Sequence, residues 1–243
     1  QGQYLYLQAL EKNNRALDAL ALLNALHKEQ ALSANVLAEL DIRLHASAIE
    51  QSSDADVCLH QWQKLPDRLR NNTAILKIFA MRADTLGLEP KAVQVLSEHL
   101  NQNWTPELLG SLIAISAHEN DQRLDLCNAW LPQHPDDAAL HAALGKLYGQ
   151  DKNYSKAEAM LQRSVSLSAS TEAWENLGNI YNAQQKNEQA STAYANALRL
   201  QREQTPLLLT GQSLREQIAS QAVADIRNEH GFPILPENQE PSD

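Results

Sequence analysis

Apolar residues recur along this chain at three- and four-residue steps with polar residues between them, the spacing of amphipathic helices. In the C-terminal half the pattern predicts helices over about 136–149, 154–167, 171–184 and 187–202. Pro135 precedes the first of these and Asp136 is its expected cap, Ser166 to Ser170 hold the middle turn, and Asn187-Glu188 opens the last helix. Upstream, Leu37, Leu40, Leu44 and Ala48 lie on one stripe of a long helix over 32–49, followed by a short helix over about 57–65. Trp104-Thr105-Pro106 begins a helix reaching to about 118, and a second, short one runs over 121–131 and stops at Pro132. Past Arg202, Thr205-Pro206 breaks the pattern and Leu207-Leu208-Leu209 starts a new apolar surface. Leu214, Ile218, Ala222 and Ile226 then mark an amphipathic helix over about 213–229. Strand-forming runs of Val, Ile and Thr are missing, so the expected class is all-α.

The helices repeat. Leu144-Gly145, Tyr148, Ala157, Leu161 and Ser164 correspond to Leu177-Gly178, Tyr181, Ala190, Tyr194 and Ala197, each 33 residues further on. That period and that alternation of small with large residues resemble the tetratricopeptide repeat, a helix-turn-helix unit of about 34 residues that buries its apolar face only by stacking on its neighbours. Trp174 takes the repeat's tryptophan position, His141 replaces it one unit earlier, and Ala169 stands where the repeat usually has Pro. Ala80, Ala83, Ala92 and Leu96 fall on the places of Gly145, Tyr148, Ala157 and Leu161, with Gly87 and Pro90 at the turn. Ser111 and Cys127 hold the key places of another degenerate unit, and Tyr4, Ala16 and Leu20, with an Asn13-Asn14 turn, fit one more.

The expected architecture is a solenoid of stacked helix pairs. It divides into degenerate repeat-like helices with one long helix over 1–66, a repeat array over 67–203 that is clearest at 136–202, a capping amphipathic helix over 204–230 and a disordered tail over 231–243.

Composition narrows the function. Lys and Arg number 20 against 30 Asp and Glu, a net charge of −10 without basic clusters, which argues against a nucleic-acid partner because that binding rests on neutralising phosphates. Cys58 and Cys127 sit in helical patterns among apolar neighbours and read as small buried hydrophobes, without metal-ligand spacing. The nearest approach to a membrane span, Ala19 to Leu26, is interrupted by Asn24. The chain begins at Gln1 without Met, and nothing there resembles a signal peptide.

Motif-borne chemistry finds no support: the chain has no Gly-rich phosphate loop, no GxSxG and no HExxH. Of its eight histidines, His134 and His141 are seven apart but separated by Pro135, which places His134 in a turn and His141 in the core. No catalytic residue, cofactor or metal site is assigned; haem ligation by a histidine or Cys58 stays open, since an axial ligand needs only one side chain. Glu203, Glu216, Asp225 and Glu229 read as a solvated helix face.

Binding fits better, because stacked helix pairs present a groove lined by the first helix of each unit. The candidate groove residues are Ala142, Lys146 and Gly149 on one such helix and Glu175, Asn179 and Asn182 on the next, with the Asn amides able to donate and accept towards an extended peptide. Ala142 ahead of Lys146 does not match the Lys-then-Asn pair with which some tetratricopeptide domains clamp a terminal carboxylate.

Asn103-Trp104, Leu108-Leu109, the passage Ala129-Trp130-Leu131-Pro132-Gln133-His134-Pro135-Asp136-Asp137, then Leu140 and Ala143 to Leu147 resemble the HemY family of bacterial inner-membrane tetratricopeptide proteins. Trp62, Leu65-Pro66 and Arg68 resemble an earlier Trp and Leu-Pro passage of that family. The likeness runs from Trp62 to Leu200, is best from Trp104 onward, and ends before the extension after Arg202. It implies an N-terminal membrane anchor outside this chain and a repeat array on the cytoplasmic face of the inner membrane. It also implies a non-enzymatic scaffold with late haem-biosynthesis enzymes as partners. A haem or porphyrin relay and a general adaptor in cell-envelope assembly are the competing readings.

Overall fold

The computed structural model describes residues 2–29, 33–116, 122–207 and 209. Among them are thirteen α-helices and one 3-10 turn, and no strand. The chain divides into two compact units, Gln1–Leu126 and Cys127–Asp243. The capping helix expected over 213–229 and the tail after it lie outside the described residues.

In the first unit, α1 (Gly2–Lys12) and α2 (Ala16–Glu29) turn at Asn13-Asn14 as the sequence predicts. The stripe of the long helix α3 (Ala34–Glu50) is buried at Leu37, Leu40, Leu44 and Ala48, and the first two helices close over it with Leu7, Leu10 and Leu23. Helix α4 (Ala55–Lys64) is capped by the Asp54 carboxylate, which accepts from Val57 N at 2.9 Å. A single helical turn, α5 (Asp67–Arg70), follows that the periodicity did not reveal. Helix α6 (Thr73–Thr85) packs on both α3 and α7 (Glu89–Gln102). Gly87 takes the turn with φ +73°, whereas Pro90 lies in the first turn of α7, where its missing N–H has no helical partner to lose.

The next helix is much shorter than expected. A 3-10 turn at Pro106–Leu108 leads into α8 (Leu109–Ala114), which stops at Ile115, while the expected continuation to His118 falls outside the described residues. The reason is Arg123, a residue only 4% exposed, whose guanidinium donates to the carbonyls of Leu112, Ile113 and Ile115 and so satisfies the helix end from outside. Helix α9 (Gln122–Trp130) has nine residues, so the shorter member of this pair is its first helix, contrary to expectation.

The second unit carries the regular repeats: α10 (Ala138–Gln150), α11 (Tyr154–Leu167), α12 (Thr171–Ala183) and α13 (Asn187–Gln201). Consecutive helices pack pairwise around Leu161, Leu177, Tyr181 and the small residues Ala157, Ala190 and Ala193. The cap of α10 is Asp137, which accepts from Leu140 N at 2.9 Å, and not Asp136, which pairs with Arg163 at 2.7 Å. Glu203 sits in the turn after α13 with φ +58°, so it is not part of a helix face; its three expected companions lie outside the described residues.

The repetition is sharpest in the backbone. Asn14, Gly87, Lys152 and Gln185 all adopt left-handed φ, and each is followed by an N–H that reaches back five residues, to Leu10 O, Ala83 O, Tyr148 O and Tyr181 O respectively. This six-to-one bond closes a helix by the Schellman arrangement. Degenerate and regular units therefore share one turn geometry although only Gly87 and Asn14 are of residue types that favour it.

Candidate functional site

Each regular repeat is fixed by a glycine that lets two helices touch. A Cβ on Gly145 would stand 2.4 Å from Leu161 Cγ, and one on Gly178 would stand 2.6 Å from Tyr194 Cε1. Both partners lie sixteen residues after their glycine, so the same contact is made twice with different side chains. His141 and Trp174, 33 apart, are equally buried at 5% exposure, as their shared repeat position predicts.

With one side of α10 and α12 thus committed to packing, another side carries the six groove candidates. Ala142, Lys146 and Gly149 are half-buried; Glu175, Asn179 and Asn182 are exposed. Lys146 Nζ reaches Glu172 at 3.5 Å, which ties α10 to α12 with an ion pair of small energetic weight at this exposure. The Tyr194 hydroxyl donates to Asn179 Oδ1 at 2.8 Å, which holds the amide and directs its NH2 elsewhere. A Cβ on Gly149 would meet Ile180 Cδ1 at 2.7 Å, so this glycine serves the approach of α10 to α12. Two fixed polar groups, Lys146 on α10 and Asn179 on α12, therefore accompany a free amide at Asn182 and a carboxylate at Glu175 on α12.

These repeats are matched by the tetratricopeptide repeat family model at residues 138–171 and 171–204. The second unit carries two tandem tetratricopeptide repeats. No curated protein matches the chain. The fold is all-α with tetratricopeptide helix pairs, and such repeats generally mediate contacts between proteins.

The first unit has an equivalent face that the sequence reading passed over. A cavity of about 290 Å³ opens against Lys77, Met81 and Asp84 of α6 and Gly110 and Ala114 of α8, and Met81 is 58% exposed there. Lys77, Met81 and Asp84 each precede Ala142, Lys146 and Gly149 by 65 residues, the same offset that relates Ala80 to Gly145. Extending the register of the repeat would have found them. Asp84 is already engaged, accepting from Ser116 N at 2.7 Å.

Among the described residues no three His, Cys, Asp or Glu side chains are grouped to hold a metal, and both buried cysteines are outside any disulfide. Burial pushes the Cys58 thiol up in pKa, towards the protonated form. The imidazoles of His45, His99 and His141 are all pushed below their ordinary value, in each case chiefly by burial. At His141 the bond from Nε2 to Pro135 O, 2.8 Å, works against that, as do Asp137 and Asp136, while Arg163 reinforces it. All three rings are thus held towards the neutral form in the fold, whereas the unfolded chain takes up protons near pH 6.5. Their contribution to stability is full above about pH 6.5 and is lost as the pH falls below it. The melting temperature is expected to drop between pH 7 and pH 5, and His141→Trp, which installs the repeat's usual residue, should shrink that drop; a flat profile in the parent chain would contradict this.

Proposed function

We propose that this protein is a non-enzymatic scaffold that holds partner proteins against the face of α10 and α12. The observation that supports this reading is the tandem of repeats whose first helices leave Glu175, Asn179 and Asn182 exposed at helical spacing on one side. Exposed amides of this kind read an extended chain through its backbone, with Asn182 free to rotate and Asn179 held by Tyr194. The double substitution Asn179→Ala with Asn182→Ala is expected to lower the amount of co-purified partner several-fold while the helical circular dichroism stays unchanged. Equal recovery would move the binding surface away from this face.

For the partner class, the passage from Trp130 to Asp137 favours late haem-biosynthesis enzymes, with an upstream anchor holding the array at the cytoplasmic face of a bacterial inner membrane. That passage joins α9 to α10 as a tight connection, with His134 N bonded to Trp130 O at 3.0 Å and Asp137 capping α10. No helix among the described residues is long and apolar enough to cross a membrane, so such an anchor would belong to sequence outside them. Affinity capture of the anchored protein from membranes should recover late haem enzymes; recovery of envelope-assembly factors alone would overturn this assignment. Titration with haemin separates the scaffold from a haem relay: a shifted Soret band at micromolar protein supports the relay.

A further inference from the structure

After α13 the described residues 204–207 and Leu209 are not helical. Residues 204–207 run along α13 itself, and three hydrogen bonds hold them there. Asn196, fully buried, donates from Nδ2 to Leu207 O at 2.8 Å and accepts from Leu207 N on Oδ1. Arg199 Nε donates to Thr205 O at 2.7 Å. Leu209 then enters the apolar cluster of α12 and α13 and is 8% exposed.

The Asn196 contact has a specific chemical meaning. One primary amide exchanges both an N–H and a C=O bond with a single residue of the bound segment, which is the pairing that two antiparallel strands make across a hydrogen-bonded pair. The side chain thus stands in for a strand edge, and it reads backbone, not side chain. Leu207 itself is 49% exposed and Gln204 and Thr205 are exposed, so among these residues only Leu209 is recognised by its shape. A segment held by a few polar bonds and one leucine is open to replacement by any chain offering the same features.

We infer that the outer side of α13 is a peptide-binding site, occupied in this structure by the protein's own residues 204–207 and Leu209. Its ligand class is an extended segment of another protein with a free backbone N–H and C=O at one residue and a leucine-sized apolar side chain two residues later. The site is separate from the α10 and α12 face and does not depend on the function proposed for it. Partner binding here requires release of the resident segment, so the two compete.

The competition is measured on the full chain with a fluorescein-labelled peptide of the sequence of residues 204–209. Leu207→Pro removes the N–H that Asn196 accepts without emptying the core, and Leu209→Asp expels the resident leucine. Either variant is expected to bind the peptide at least tenfold more tightly than the parent chain by fluorescence anisotropy, and adding Asn196→Ala should return the affinity to the parent level or below. Leu207→Pro keeps the test valid if Leu209→Asp unfolds the last repeat, which circular dichroism will report. Equal affinity of the parent and Leu207→Pro chains, or binding that survives Asn196→Ala, would overturn the inference.

Discussion

Arg123→Met is expected to destabilise the first unit by about 3 kcal/mol, among the largest effects of any single substitution outside the apolar core. The methionine keeps much of the apolar stem but none of the donors. Arg123 sits 4% exposed and supplies Nη1 to the carbonyls of Leu112, Ile113 and Ile115, all of which belong to buried residues. Without it the carbonyls at the end of α8, on residues that are themselves buried, lose this donor. A buried acceptor left without a donor costs about 1–3 kcal/mol, and here the loss involves a charged donor. Arg123→Lys should recover only part of the stability, because an ammonium on a flexible stem does not match the fixed fork of a guanidinium. Urea denaturation gives the stability, and amide exchange at α8 should quicken before the rest of the unit opens. An unchanged midpoint for Arg123→Met would mean that the carbonyls find other donors.

Gly178→Leu should destabilise the second unit by about 1–3 kcal/mol through overpacking. Even the first added carbon would lie 2.6 Å from Tyr194 Cε1 and 2.7 Å from Cδ1, well inside van der Waals contact. The tyrosine cannot yield without cost, because its hydroxyl is bonded to Asn179 and its ring packs against the cluster around Leu177 and Tyr181. The same substitution therefore disturbs fold and groove together. Gly178→Leu with Tyr194→Ala should recover much of the loss by opening space for the new side chain, a coupling that a double-mutant cycle reads directly. Additive effects of the two changes would show that the contact is not what fixes the glycine.

Much of the second unit could be read from the chain, since Gly178 and Tyr194 belong to a pattern that recurs at fixed spacing with local helical geometry. Helix α11 falls on the predicted residues, and the buried stripe of α3 is where its spacing puts it. What escaped were features made by residues distant in sequence. Nothing local says that Arg123 will end α8, or that Asn196 will hold the backbone of Leu207, because a single Arg or Asn in a helical pattern reads as solvated. Asp136 and Asp137 show the same limit on a small scale: either can cap α10, and the choice is made by Arg163, which draws Asp136 away. The groove of the first unit was legible in principle, since Lys77, Met81 and Asp84 follow from the register of Ala80, but their side chains share no chemistry with Ala142, Lys146 and Gly149. Repeats conserve the contacts that stack helices and leave the exposed face free to differ.

The claim that the α10 and α12 face receives a protein is tested most directly by site-specific photo-crosslinking in cells. A photoreactive amino acid in place of Asn182 samples that face, and one in place of the exposed Ser155 on α11 samples another surface of the same unit. The scaffold reading predicts a discrete adduct with another protein from position 182 and none from position 155. Adducts from position 155 with none from position 182 would contradict it.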